Sequence, residues 1–146
     1  MLKAEKFMAE AIREAQKAEN EVPVGAVIVK DGCIIARAHN ERETKGPLAH
    51  AEMLAIERAF EALGERRLHG CTLYVTLEPC PMCAGGIIMA ELENCVFGAW
   101  DEKQGCCGSI YTLPEDPAFY HRVSCTGGIL AEECAAMLKD FFRYRR

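Results

Sequence analysis

The sequence contains no long hydrophobic run. Among its 146 residues, no apolar stretch approaches the roughly twenty residues that a helix needs to cross a bilayer. It also has no apolar segment of the secretory type after its short basic start. These two absences predict a soluble protein without a membrane partner.

An excess of positive charge is absent as well. The 17 Lys and Arg residues are outnumbered by 22 Asp and Glu residues, which gives a formal net charge of -5. Proteins that bind polyanions broadly usually carry a basic excess. The composition therefore argues against non-specific nucleic-acid binding and against DNA as a partner, and any contact with a nucleic acid has to be local.

A disulfide scaffold is also unexpected. The nine cysteines are an odd number, in a chain that is half apolar and long enough to bury a core. Such cysteines are typical of a reducing compartment, so we expect free thiols and a cytoplasmic location. The length fits one domain over residues 1–146, and no internal repeat divides it.

Two short motifs carry metal-ligand side chains, in the segments 50–52 (His-Ala-Glu) and 79–83 (Pro-Cys-Pro-Met-Cys). A hydrolytic zinc site typically uses three protein ligands and leaves the fourth position for water. Cys80 and Cys83 are three residues apart, which directs both side chains to one side of a helix's first turn, where the helix dipole favours thiolates. Pro81 suits the first position of that helix. The motifs predict a catalytic zinc bound by His50, Cys80 and Cys83.

Glu52 is not needed as a ligand. Because it lies two residues from His50, it could reach the water on the metal, and we expect it to be the general acid and base. The alternatives are a structural zinc closed by a fourth ligand such as Cys71, Cys106 or Cys107, a redox pair, or no metal at all. The combination of His-x-Glu opening a helix with Pro-Cys-x-x-Cys after an apolar strand is typical of zinc-dependent nucleobase deaminases.

Hydrophobic periodicity and turn signals divide the chain into helices and strands. Helical patterns cover residues 8–18, 49–62, 81–90 and 130–141. Strand patterns cover residues 24–29, 33–38, 72–77, 94–98 and 123–125, with an Asp-Gly hairpin turn between the first two. Residues 100–122 show no clear periodicity, which predicts a functional loop or irregular short helices.

An initial hairpin followed by alternating strands and helices predicts an α/β fold with three layers (αβα) and a central mixed five-stranded sheet. Both zinc-binding turns follow strands, so they can converge at one end of the sheet, where α/β folds usually place ligands. The zinc hypothesis requires this convergence. A fold with His50 far from Cys83 would exclude it.

Beyond the zinc motifs, nearly the whole chain resembles the bacterial tRNA-specific adenosine deaminases, which have the cytidine deaminase-like fold. The metal motif alone is shared with cytosine, guanine and deoxycytidylate deaminases, so a free nucleobase or nucleoside deaminase remains the alternative. The opening and closing segments narrow the resemblance. It is carried by residues 21–27 (EVPVGAV), Asn40, 49–52 (AHAE), 72–80 (TLYVTLEPC), 82–85 (MCAG), 97–99 (FGA), 140–143 (DFFR) and 145–146 (RR).

The resemblance implies a homodimer with one Zn²⁺ per subunit that binds a tRNA anticodon stem-loop. It would convert adenosine to inosine at the wobble position and release ammonia. Asn40 aligns with the family's base-reading asparagine, although by residue type alone it would be an ordinary turn residue after a strand. Main-chain groups at Ala51 and Glu78 are expected to line the substrate pocket. Trp100 departs from the smaller or basic residue expected there, and could stack on a base or shield the interface.

The RNA contacts implied by the resemblance lie in two segments. Asp101 and Lys103 align with loop positions that contact the anticodon backbone. In the C-terminal segment, the aligned RNA-binding residues are Phe142, Arg143 and Arg146. The alternative for this segment is structural, because arginines near a helix C-terminus are stabilised by the helix dipole.

Overall fold

The computed structural model describes residues 2–144 of the chain. The α-helices in this range are α1 (Lys3–Ala15), α2 (Arg42–Lys45), α3 (Ala51–Leu63), α4 (Pro81–Met89) and α5 (Ala131–Arg143). The strands are β1 (Gly25–Lys30), β2 (Cys33–His39), β3 (Cys71–Leu77), β4 (Asn94–Ala99) and β5 (Ser124–Thr126). A short 3-10 turn, Leu113–Glu115, lies between β4 and β5.

The five strands form a mixed sheet in the order β2-β1-β3-β4-β5. Strand β1 is antiparallel to β2 and β3, whereas β4 is parallel to β3 and β5. Strands β2, β3 and β4 therefore run in the same direction, and their carboxyl ends meet at one edge of the sheet. The segments that follow these strands, beginning at Asn40, Glu78 and Trp100, all start from this edge.

Helices cover both faces of the sheet, which confirms the predicted three-layer α/β architecture. Along β1, Ala26 and Ile28 belong to the core shared with α3 and α4. The alternate residues Val27 and Val29 face the opposite core, formed with α1 and α5. Because side chains alternate along a strand, a strand buried on both faces has a nearly continuous apolar sequence.

Helix α1 packs closely against the start of β1. A Cβ atom at Gly25 would overlap with the main chain of Ala11 and Ala15 in α1, so this approach requires glycine. None of the helices in residues 2–144 is long and apolar enough to cross a membrane.

Predicted and observed boundaries differ most at α1, which spans Lys3–Ala15 where the sequence pattern covers residues 8–18. They differ less at α3, but there the difference moves a zinc ligand. The sequence predicts a helix from residue 49 with His50 in its first turn, but α3 begins at Ala51 and His50 precedes it with extended backbone (φ -77°, ψ 148°). The reason is that Ala49 is held in a turn, donating its N–H to Gly46 and accepting the N–H of Glu41. The short helix α2 was not predicted, and four residues are too few to show helical periodicity.

Candidate active site

The structure brings the three predicted zinc ligands together. His50 Nδ1 lies 3.7 Å from Cys80 Sγ and 3.6 Å from Cys83 Sγ. Tetrahedral zinc, with bonds of about 2.0 Å to nitrogen and about 2.3 Å to sulfur, holds these atoms about 3.5 Å apart. The ligand atoms therefore already have the spacing that a shared zinc ion requires.

Two helix N-termini position these ligands. His50 immediately precedes α3, and Cys80 immediately precedes α4, which begins with Pro81. Cys83 lies in the first turn of α4 and is fully buried. The positive ends of both helix dipoles therefore point toward the group and favour anionic sulfur there.

The protonation of the two thiols follows from their contact. The hydrogen bond from the Cys83 thiol lowers the pKa of Cys80 to about 4, and the same contact raises the pKa of Cys83. The hydrogen bond with Cys80 raises the pKa of His50. Zinc binding replaces such shared protons, because the metal binds thiolates and neutral imidazole.

Glu52 lies beside this group in the first turn of α3, with 4 % of its surface exposed. Burial raises the pKa of Glu52 to about 7, because a buried carboxylate loses its hydration. A divalent cation bound nearby lowers the pKa of such a carboxyl group, because it favours the ionised form. A carboxyl group that titrates near neutrality is well suited to both taking and giving a proton.

The structural-zinc alternative needs a fourth protein ligand. Within residues 2–144, the groups of three or more potential ligands that could hold a metal comprise only His50, Cys80 and Cys83. Neither Cys71, Cys106 nor Cys107 joins them. The donor set therefore fits a zinc with an open position, which is the arrangement of hydrolytic sites.

The zinc-binding group opens into a cavity of about 760 Å³. Asn40 lies in its wall and is nearly buried; its Nδ2 donates to Val22 O (3.2 Å) and its Oδ1 accepts from Ala51 N (2.9 Å). Each of these two atoms can make one further hydrogen bond. Asn40 therefore can still donate to and accept from a purine edge, whereas the N–H of Ala51 is already used by Asn40.

Glu78 also contributes to the cavity wall, but its side chain faces the protein. The carboxylate accepts hydrogen bonds from Asp101 N, Cys107 N and Ser109. Its main-chain N–H donates to Ala99 O (2.9 Å). The part of Glu78 that remains for the predicted substrate contact is its carbonyl oxygen.

The predicted RNA contacts that fall within residues 2–144 line this cavity or a groove beside it, and we call this region the cavity mouth. Asp101 and Lys103 line it, and Asp101 Oδ1 accepts the N–H groups of Lys103 and Gln104, both at 3.1 Å. Phe142 lines both the cavity and a neighbouring groove that also contains Arg143. The predicted contact of Arg146 lies outside the described residues.

Trp100 lies in the same wall with 52 % of its surface exposed. Its indole packs edge-on against Phe97, with ring centroids 4.8 Å apart. Side chains at Gly108 or Gly127 would collide with it. The ring is thus fixed on one side and open to solvent on the other.

Arg42 is a cavity residue that the sequence did not reveal. It lines the cavity and has a buried Nε atom without a hydrogen-bond partner among residues 2–144. Such a group is costly unless a ligand or water satisfies it. The only signal in the sequence was a basic residue two positions after Asn40, which is not distinctive.

This arrangement of sheet, ligands and carboxylate defines a zinc-dependent hydrolytic deaminase. Residues 1–99 match the family model described as the cytidine and deoxycytidylate deaminase zinc-binding region, so the chain belongs to this family. Within it, the chain belongs to the tRNA-specific adenosine deaminases. It is 54% identical to that enzyme of Bacillus subtilis (strain 168), over 100% of this chain and 92% of the relative.

Solved structures agree with this assignment. A tRNA:A34 deaminase, from work on A-to-I editing at the wobble position of transfer RNA, matches with a TM-score of 0.87 and 42% identity, covering 91% of this chain and 99% of that chain. A guanine deaminase from Bacillus subtilis matches with a TM-score of 0.63 and 42% identity, covering 66% of this chain and 64% of that chain. The cytidine deaminase-like fold expected from the sequence is confirmed.

Proposed function

We propose that this protein is a zinc-dependent hydrolase that deaminates adenosine to inosine at the wobble position of a tRNA anticodon loop and releases ammonia. The observation that carries the proposal is the joint presence of an open His-Cys-Cys site beside a buried glutamate and full-length similarity to tRNA-specific adenosine deaminases. The residues act as one deaminase domain, in the cytoplasm, where free thiols persist.

When bound by His50, Cys80 and Cys83, zinc supplies a Lewis acid that makes water nucleophilic near neutral pH. Glu52 takes a proton from the attacking water and passes it to N1 of adenine. Glu52 then takes the proton of the new hydroxyl group on C6 and delivers it to the amine. The C6–N bond breaks, C6 becomes a carbonyl carbon, and the amine departs as ammonia. The burial of Glu52 keeps these proton transfers away from bulk water.

Asn40 orients the base in this scheme. Its remaining donor and acceptor fit a purine edge, because purines present ring nitrogens and exocyclic groups next to each other. The amide is fixed by Val22 and Ala51, and the latter directly follows the zinc ligand His50. The base is therefore held in a constant position relative to the zinc-binding group.

An anticodon loop suits this cavity because its bases are already unpaired. Extruding such a base costs only partial unstacking, whereas a base inside a duplex must also lose its pairing. Arg42 and Lys103 line the cavity, together with the acidic residues Asp101 and Glu102, and Arg143 lines the groove beside it. Individual cations among acidic residues can bind single phosphates, which fits a local contact with nucleic acid in a protein of net negative charge.

We further propose a homodimer. The side chains of Met89 and Tyr120 are large and mostly exposed, and Tyr120 contacts α4 beside Met89 by donating to Ile88 O (3.3 Å). Exposed apolar clusters of this kind commonly mark protein interfaces. The expected solution mass is twice the 16.2 kDa of the chain; a monomer at micromolar concentration by light scattering would contradict the proposal.

A free-base deaminase is the second candidate, favoured by the similarity to guanine deaminase over two thirds of the chain. The zinc chemistry would be the same, but the exposed aromatic and basic residues at the cavity mouth would have no substrate to contact. The two candidates therefore differ in what lies outside the cavity.

The deciding experiment measures inosine formation on an anticodon stem-loop with adenosine at the wobble position. Ammonia release from free adenosine, adenine, guanine and cytosine is measured in parallel with the same zinc-loaded protein. Conversion of the stem-loop alone is expected. Turnover of a free base without conversion of the stem-loop would replace the tRNA assignment with the second candidate.

A further inference from the structure

The carboxylate of Glu78 is the meeting point of one loop. Glu78 is 2 % exposed, and Oε1 accepts from Asp101 N at 2.9 Å and from the Ser109 hydroxyl. Its other oxygen, Oε2, accepts from Cys107 N at 3.1 Å and Ser109 N at 2.8 Å. All four of these donors belong to residues 101–109.

The loop wraps around this carboxylate in a way that fixes its residue types. A Cβ atom at Gly105 would overlap with the Glu78 carboxyl group, so only glycine fits there. Cys106 N donates to Pro79 O at 2.9 Å. The loop is thus attached to both residues that separate β3 from the zinc ligand Cys80.

Hydrogen bonds to an ionised acceptor are about twice as strong as neutral ones, and a buried charge is tolerated only when its bonds are satisfied. Four donors on one buried carboxylate therefore hold the loop in one conformation. The same loop carries Asp101 and Lys103 at the cavity mouth. A loop fixed before binding does not pay its ordering entropy when the substrate arrives.

We infer that Glu78 is a positioning residue. It holds loop 101–109 in a fixed position relative to the zinc-binding turn, so that the target base and the flanking RNA can be bound at the same time. This inference rests on the proposed function. The Glu78 side chain would act on the substrate indirectly, by fixing the loop. The sequence had suggested only that the main chain of Glu78 contacts the substrate. The loop acts on substrate binding, so the role has to appear in KM more than in kcat.

The test compares Glu78→Gln with wild type on the wobble-adenosine stem-loop. Glutamine keeps the size of the side chain but replaces one acceptor by a donor, which faces the N–H groups of the loop. We expect one zinc per chain, kcat within about threefold of wild type, and a KM raised by about tenfold, as for the loss of one or two charge-assisted hydrogen bonds. Glu115→Gln is the matched control, since Glu115 also accepts a main-chain N–H, that of Cys125 in β5 at 2.9 Å, but lies outside the cavity lining. It should leave KM unchanged.

Two further variants separate positioning from general support of the fold. Ser109→Ala removes only the hydroxyl donor and should raise KM by about threefold. Lys103→Ala removes the loop's basic side chain at the cavity, which is expected to contact the anticodon backbone. In this background Glu78→Gln should raise KM by much less than tenfold, because both changes weaken the same contact. Equal effects in both backgrounds, or a loss of kcat or zinc with unchanged KM, would overturn the inference.

Hydrogen exchange tests the loop without RNA. In Glu78→Gln the amides of Cys107 and Ser109 should exchange at least about tenfold faster, while amides in β3 remain protected. Unchanged exchange in the loop would refute the anchoring role even if activity falls. If the wild-type enzyme converts no stem-loop, the proposed function is wrong, and so is the role of the loop in RNA binding. The exchange rates would still decide whether Glu78 anchors the loop.

Discussion

The zinc-binding turns and the cavity mouth are built in opposite ways. Cys83 and Glu52 are almost completely buried at helix N-termini, whereas Trp100 and Phe142 have about half of their surface exposed, at 52 % and 53 %. The buried group is held by close contacts among His50, Cys80 and Cys83. The mouth is formed by a loop and the end of a helix.

This difference suggests separate roles for the two regions, with the reaction in the buried turns and the choice of substrate at the cavity mouth. A buried group with a fixed geometry can perform the same reaction on any amine-bearing ring that reaches it. The exposed mouth is where a tRNA loop and a free base can be distinguished. Changes in the turns should therefore act on kcat and zinc, and changes at the mouth should act on KM.

The largest effect is expected for Glu52→Ala, in the buried region. Proton transfer by a positioned side chain contributes about 10² to 10⁴-fold to a rate, so kcat should fall by about that factor while zinc stays bound. The control is Glu61→Ala, an exposed position on the same helix, with unchanged kcat. Steady-state kinetics and metal analysis give both readouts, and retained turnover in Glu52→Ala would remove its assigned role.

The second effect concerns the metal itself. Cys83→Ser should lower the zinc content well below one ion per chain, because a hydroxyl is a poor replacement for a thiolate ligand. Zinc at about a hundredfold excess over its Kd stabilises a fold by about 2.7 kcal/mol, so the Tm of the variant should also respond less to added zinc. Cys33→Ser, at an exposed thiol, is the control. Full zinc occupancy in Cys83→Ser would contradict the ligand assignment.

The buried region was also the more predictable one from sequence. The grouping of His50, Cys80 and Cys83 was predictable because each lies in a short motif at the start of a helix, and such a motif is recorded in the local sequence. The mixed sheet between two layers of helices was predictable because a hairpin followed by alternating strands and helices leaves few architectures. The exact start of α3 was missed because a turn at Ala49, held by residues 41 and 46, decides it.

The cavity mouth was predictable only in part. Arg42 has no distinctive neighbours in the sequence, and its position in the cavity wall depends on the unpredicted helix α2. The four donors on Glu78 come from residues 23 to 31 positions away, and no local pattern records such contacts. Long-range contacts of irregular loops are set by the tertiary fold, which is why sequence periodicity does not reveal them.

Arg42→Gln tests whether residues outside the zinc-binding turns act on substrate binding rather than on the chemical step. Arg42 lines the cavity wall, and its guanidinium group is suited to a phosphate next to the target nucleotide. We expect KM for the stem-loop to rise by about tenfold with kcat nearly unchanged. The slope of log Kd against log salt concentration should also decrease, by the amount expected for the loss of about one phosphate contact. Arg66→Gln, at an exposed position, is the control. A fall in kcat with unchanged KM would assign Arg42 to the chemistry instead.

The smallest effect is expected for Phe142→Leu, and it separates two kinds of contact at the mouth. Leucine keeps an apolar side chain but removes the aromatic face on which an unpaired base can stack, and such stacking contributes about 1–3 kcal/mol per base. Because leucine retains part of the contact, KM should rise by only about threefold, and the rise should be independent of salt, unlike that of Arg42→Gln. Phe60→Leu, on α3 with 48 % exposure and outside the cavity lining, should leave KM unchanged. An equal KM for Phe142→Leu and wild type would mean that Phe142 makes no stacking contact with RNA, and that the aromatic end of α5 only supports the fold.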